Sequence, residues 1–159
     1  MATDSPYSLD EIADRLAIEQ VIARYVHALD ARDYDTLDDV FLPDARFDLT
    51  EAGGIAGSWV EVKRYYQDNL GAFVDYQHVF SNVLLEFEAE RRTARSRSKV
   101  INPCGMMGGD GELHHFEVVG WYEDGWRRVP DGWRITERTW RHGWIWGDYP
   151  LASMPGEFK

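Results

Sequence analysis

The side chains best suited to proton chemistry in this chain stand far apart in sequence: the carboxylate of Asp30 and the imidazole of His78. Asp30 follows Leu29 at the carbonyl end of a helical segment, where the helix dipole disfavours a second negative charge. That setting suits a base, or a partner to a histidinium. His78 lies in YQHVFSNVLLEF, where period-two alternation would put it on one strand face with Tyr76, Phe80, Asn82 and Leu84. A carboxylate that orients an imidazole makes a general base able to work near neutral pH. Tyr25, one helical turn before Leu29, could add a hydroxyl to the pair. Each residue also has a plain structural reading: Asp30 as a solvated helix end, His78 as a hydrogen-bonded core residue, Tyr25 as core packing. His115, Glu117 and His142 have the outline of a two-histidine, one-carboxylate metal site, but the pattern is short and common, and no metal or cofactor is expected.

The elements that must position these groups are readable from periodicity. From Ser8, SLDEIADRLAIEQVIARYVHALDARD carries apolar residues at threes and fours, including Ile12, Leu16, Ile22 and Leu29, which predicts a long amphipathic helix. Ser8 followed by Glu11 has the form of a capping box. A shorter helical stretch is predicted over Tyr34 to Phe41, ending at Pro43, then a strand over Ala45 to Leu49 and a third helix from Ser58 to Gly71. Beyond Gly71 four segments rich in β-branched and aromatic residues predict antiparallel strands: Tyr76 to Glu88, Thr93 to Ile101, Leu113 to Tyr122 and Trp133 to Trp144. Ala94, Ser96, Ser98 and Val100 share one strand face, open to a packed helix or to close sheet contact, and Arg95, Arg97 and Lys99 share the other. Helices first and antiparallel strands last define an α+β domain with helices on one side of a strongly bent sheet, and all 159 residues read as one unit.

Composition narrows the function. A net charge of −11 disfavours nucleic acid and anionic membranes, which need a basic face. One cysteine, Cys104, allows no intrachain disulfide and no cysteine-type zinc site. The polar, acidic Met1 to Leu9 stretch lacks a basic segment leading into an apolar run, so a cytoplasmic location is expected. Phosphate-loop, dinucleotide, zinc-protease and nucleophile-elbow motifs are all missing. Of 7 tryptophans, all but Trp59 fall between Trp121 and Trp146, enough aromatic surface for core packing, a subunit interface or a pocket for a flat ligand.

Together these features resemble the nuclear-transport-factor-2-like superfamily, in particular its polyketide-cyclase-like branch, which includes scytalone dehydratase and bile acid 7α-dehydratase. The likeness runs from IADRLAIEQVIARYVHALDARDYDTLDDVFLPDARFD to DGWRITERTWRHGW. LDARDYDTL resembles the helix end that carries the family's catalytic aspartate, at Asp30, and YQHVFSNV the strand carrying its catalytic histidine, at His78. Tyr25 falls at the position of an active-site tyrosine, and His115, counted back from Trp121-Tyr122, at that of a second pocket histidine. Leu29 departs from the pattern, standing where scytalone dehydratase has a substrate-binding tyrosine. The resemblance implies a cone-shaped domain enclosing a pocket, and a cofactor-independent lyase of aromatic-compound catabolism. It would eliminate water or a small carbon fragment such as formaldehyde from a hydroxylated aromatic or polycyclic molecule. Trp121, Asn82, Phe80 and Arg141 are the expected substrate contacts. An isomerase of the ketosteroid-isomerase type and a non-catalytic ligand-binding or assembly domain are the alternatives. A homo-oligomer is implied, a trimer in preference to a dimer.

Overall fold

The computed structural model describes residues 6–150; the first five residues of the acidic N-terminal stretch and residues 151–159 lie outside them. In chain order the elements are α1 (Leu9–Asp30), β1 (Phe41–Asp48), β2 (Ala56–Ser58), α2 (Trp59–Asn69), β3 (Phe73–Tyr76), β4 (Val79–Phe87), β5 (Thr93–Met107), β6 (Leu113–Val129) and β7 (Gly132–Gly147). The strands form one open, mixed sheet in the order β2-β1-β7-β6-β5-β3, and β4 also pairs with β5. All pairings are antiparallel except β1 with β7, which is parallel. The α+β architecture read from the sequence is the one found.

The long helix is capped as expected at one half of its box, where the Ser8 hydroxyl accepts from the Glu11 N–H at 3.1 Å. The Glu11 carboxylate turns instead to Arg15. The predicted apolar stripe is buried from Ile18 to Leu29, but Ile12 and Leu16 are exposed. In that first half of α1 it is Asp14 that turns inward, accepting from Trp133 Nε1 at 3.2 Å and pairing with Arg128 and Arg91. A triple-capped carboxylate therefore occupies the place that periodicity assigns to an aliphatic side chain.

The stretch predicted as a second helix holds only a 3-10 turn, Thr36–Asp39, and Pro43 lies inside β1 rather than ending a helix. Pro43 is exposed there, at the residues where the β1–β7 register is broken, so its missing N–H costs no ladder bond. The predicted strand Tyr76 to Glu88 is interrupted. β3 and β4 follow each other along the same edge of β5, with Gln77 and His78 between them opposite Pro103 and Asn102. Gln77 N–H reaches the Pro103 carbonyl at 3.1 Å, but proline has no N–H to return. The ladder stops at that point, and His78 leaves the sheet. A second irregularity between Ser81 and Leu84, with Asn82 at φ 50°, shifts the alternation so that Leu84 faces outward.

Inside the bend, the small face Ala94, Ser96, Ser98 and Val100 is buried. Trp126 lies opposite Ala94 and donates from its indole N–H to the Ser96 hydroxyl at 2.9 Å. The small residues thus make room for a large one on the next strand. Trp59, Trp126, Trp133 and Trp140 are buried on this side, whereas Trp144 and Trp146 are exposed on the other.

Two outcomes follow from these contacts. A Cβ on Gly120 would collide with the Arg141 carbonyl and the Trp140 ring edge, whereas one on Gly71 would meet nothing. Gly120→Ala should lower stability by about 1–3 kcal/mol in urea unfolding, and Gly71→Ala by less than about 0.5 kcal/mol. His114, near the start of β6, is held between Asp110 (3.0 Å) and Asp148 (2.8 Å), whose hydrogen bonds raise its pKa. Stabilisation from a raised histidine is complete below the unfolded pKa of about 6.5 and is lost as pH rises through the folded value. Melting temperatures should therefore fall as pH rises across that window in wild type, and His114→Asn should flatten the slope.

Candidate active site

Asp30 is the last residue of α1, and the chain turns sharply after it through Arg32, which adopts φ 58°. That strained turn is fastened to β3. The Arg32 guanidinium donates to the Phe73 carbonyl at 2.7 Å, and the Tyr76 hydroxyl donates at 2.6 Å to the Leu29 carbonyl, which also accepts the Arg32 N–H at 2.9 Å. Together they bring the end of α1 against the gap between β3 and β4.

In that gap Asp30 takes up both donors that His78 offers. Its Oδ1 lies 2.6 Å from His78 Nδ1, and its Oδ2 accepts the His78 backbone N–H at 3.0 Å. The backbone N–H of His78, which points away from β5, thus fixes the carboxylate, and the carboxylate fixes the ring. With Nδ1 held as donor, the lone pair sits on Nε2, 3.4 Å from Asn102 Nδ2. His78 is buried, and it lines a cavity of about 180 Å³ between α2, the end of α1 and the inner sheet face. Tyr65, Tyr66, Tyr76, Tyr122 and Trp140 supply most of the aromatic wall. Cys104 also lines it, but burial pushes its thiol up to about 12, so it stays neutral and is no nucleophile.

Behind this wall lies a buried ion pair. Arg138 and Asp124 meet through two bonds of 2.7 and 2.8 Å with no exposed side-chain surface on either. Burial works against the arginine's charge, but Asp124 outweighs it and raises the pKa. The guanidinium lies 4.1 Å from the Tyr25 ring centre and 4.3 Å from that of Tyr122, both cation–π distances. Burial, joined by the neighbouring tyrosines, lifts Tyr66 and Tyr122 well above the ordinary phenol value, while Arg138 pulls the other way. Both therefore stay protonated, with a hydroxyl able to donate a hydrogen bond.

The residues singled out from the sequence divide between two places. Asp30, His78, Tyr25 and Phe80 come together: the Tyr25 ring is 6.3 Å from His78 and 5.7 Å from Phe80. Tyr25 and Phe80 stand behind the cavity wall, where Phe80 stacks on Tyr122 at 5.5 Å. His115, Trp121 and Arg141 are not brought to the cavity. They occupy outward positions of β6 and β7, His115 beside Glu117 and Trp146, Trp121 beneath Lys99, and Arg141 paired with Glu123 and Glu51. The even-numbered neighbours Phe116 and Tyr122 are the buried ones, so strand alternation itself turns His115 and Trp121 away. Asn82 sits exposed in the β4 irregularity. Among the described residues no three metal-ligating side chains converge, and His115, Glu117 and His142 do not form such a group.

Four site residues escaped the sequence reading. Asn102 is opposite His78 only once the β4–β5 register is known, and Tyr66 and Tyr122 read as ordinary core aromatics. Arg138 is hidden by a register shift between Gly125 and Trp126, which moves the inward positions of β7 from Trp133 and Ile135 to Arg138 and Trp140. A charge at an inward position would have been the signal.

Residues 10–139 match the SnoaL-like domain, and the chain belongs to that family, within the nuclear-transport-factor-2-like superfamily that its sequence resembles. An uncharacterized protein of Mycobacterium tuberculosis, and another of Mycobacterium bovis, are 40% identical over 135 residues, covering 85% of this chain and 89% of theirs. A candidate aromatic ring hydroxylase from Novosphingobium aromaticivorans superposes with TM-score 0.74 at 29% identity, over 89% of this chain and 96% of that one. The same fold recurs in a candidate scytalone dehydratase from that organism (TM-score 0.74, 20% identity, 87% and 89% covered). It recurs also in a hexachlorocyclohexane dehydrochlorinase from Novosphingobium barchaimii (TM-score 0.74, 20% identity, 92% and 95% covered).

Removing one member of a buried ion pair strands the other charge, which costs about 3–5 kcal/mol, whereas replacing both costs much less. Asp124→Ala should show the full loss in urea unfolding, and Asp124→Leu combined with Arg138→Met should recover most of it.

Proposed function

We propose that this protein is a cofactor-independent lyase that removes water from a hydroxylated aromatic compound, with Asp30 and His78 as its acid/base pair. The observation that carries this reading is the 2.6 Å contact between Asp30 Oδ1 and His78 Nδ1, which leaves the Nε2 lone pair on the cavity side of the ring.

Nε2 takes the proton from a substrate carbon, and Asp30 stabilises the imidazolium that forms. The released electron pair makes the carbon–carbon double bond as the carbon–oxygen bond breaks. The imidazolium then returns its proton to the departing oxygen, so that water leaves and His78 is neutral again. Charge that develops on a conjugated carbonyl or phenol oxygen meets the hydroxyl donors Tyr66 and Tyr122, backed by the Arg138 guanidinium. Loss of formaldehyde would use the same base on an alcohol proton: the carbonyl of formaldehyde forms as the carbon–carbon bond breaks, and the imidazolium returns the proton to the carbon that keeps the electron pair. A volume of about 180 Å³ is comparable with cavities of roughly 150 Å³ that hold one benzene ring, and supports a single-ring substrate over a fused polycycle.

Turnover of a panel of single-ring hydroxylated compounds, followed by mass spectrometry, tests the proposal. Asp30→Asn and His78→Ala should each lower kcat by about 10²–10⁴-fold while the fold is kept. Full activity in both variants would exclude the pair as the base. A product of unchanged mass would indicate an isomerase, and a tightly held compound recovered unaltered a binding protein. Asn102→Asp places a carboxylate against Nε2, which favours the charged ring. The acid limb of kcat/KM should then move to higher pH by about one unit.

A further inference from the structure

The cavity at His78 ends against one side chain. Along the inner face of β5 its lining runs through Met106, Cys104 and Asn102 and then stops, although Val100 and Ser98 continue the same face. On β6 Val118 and Tyr122 line it, but Gly120, between them on that face, does not. The space over Gly120 is taken by Trp140. A Cβ on this glycine would come 2.5 Å from Cζ2 and 2.9 Å from Cη2 of the indole, so the benzo edge lies where a side chain of β6 would otherwise stand.

That indole is a rigid stop. Trp140 is 3% exposed, and its ring meets that of Tyr122 edge to face with centres 5.0 Å apart. Tyr122 is held in turn by Phe80, which stacks on it, and by the Arg138 guanidinium. A planar ring packed against Tyr122 and Gly120 yields less to a larger ligand than an unbranched side chain such as methionine would. Truncating a large side chain in a packed core leaves a hole on the order of 150 Å³, enough for one benzene ring. The whole cavity measures about 180 Å³, so Trp140 fills about the room of one further ring.

We propose that Trp140 is the specificity-determining residue of this cavity, the one that limits it to single-ring compounds and refuses fused bicyclic ones. The inference rests on the reading of the cavity as the place where an aromatic ring binds, and not on the proton chemistry at His78.

Calorimetric titration of the full chain with phenol and with 2-naphthol, to millimolar concentration, tests it and reads binding without turnover. Wild type should bind phenol at least about tenfold more tightly than 2-naphthol, a discrimination within reach of a packed apolar pocket. In Trp140→Ala the order should invert, with 2-naphthol at least about tenfold the tighter ligand. The melting temperature of that variant should also rise with 2-naphthol by more than that of wild type does. Trp133→Leu, which opens the buried core outside the cavity lining, should keep the wild-type order. Should Trp140→Ala fail to fold, Trp140→Leu serves in its place and should lose the preference for phenol. Equal binding of the two compounds by wild type would overturn the assignment and leave the acid/base reading intact. So would an unchanged order in the folded Trp140 variant, or an inversion that Trp133→Leu produces as well. A wild type that binds neither compound would overturn it together with the reading of the cavity as an aromatic site.

Discussion

A guanidinium with no access to water must be neutralised and surrounded, and Arg138 sets that requirement at the centre of this protein. Asp124 neutralises it through two bonds across the β6–β7 pair, and the rings of Tyr25 and Tyr122 close on it from α1 and β6. The first helix, the two longest strands and the back of the cavity are thereby tied to one charge. Such a pair adds little net stability compared with a well-packed apolar core, because desolvation offsets most of the attraction. What it does add is position: it holds the rings of Tyr25 and Tyr122 at the back of the cavity that His78 also lines.

The histidine owes its place to a defect in the sheet. Pro103 offers no N–H, so the ladder along β5 is interrupted opposite Gln77 and His78. The backbone N–H of His78, directed away from β5, bonds to Asp30 together with the ring. An unpaired donor buried at this point would be costly, and the helix-end carboxylate removes that cost while it orients the imidazole. The strained turn at Arg32 belongs to the same arrangement, since its guanidinium locks the helix end onto β3.

The sheet has two faces of different character. The inner one combines small residues on β5 with tryptophans on β6 and β7, leaving room for a cavity beneath α2. On the outer one, indoles and paired charges meet solvent. Alternation along β6 divides Tyr122 and Phe116 from Trp121 and His115, so one strand serves both faces.

By itself the sequence determined the two α-helices, the long strands and the α+β class, because helix and strand periodicities are local properties, but not the 3-10 turn at Thr36–Asp39, the short β2 or the break between β3 and β4; the family pattern was legible in LDARDYDTL and YQHVFSNV. It also singled out Asp30, His78 and Tyr25, which the fold brings together. It did not determine which side chains share the cavity. His115, Trp121 and Arg141 have suitable chemistry, but strand alternation aims them outward, and Arg138 and Asn102 were invisible because register shifts and cross-strand pairing change the face of a residue without changing its neighbours in the chain. The long helix showed the same limit in Asp14, a charge whose burial depends on Arg91, Arg128 and Trp133, more than 75 residues away. Only the tertiary structure could decide these placements, since the energy of a buried polar group is set by partners that the local sequence does not contain.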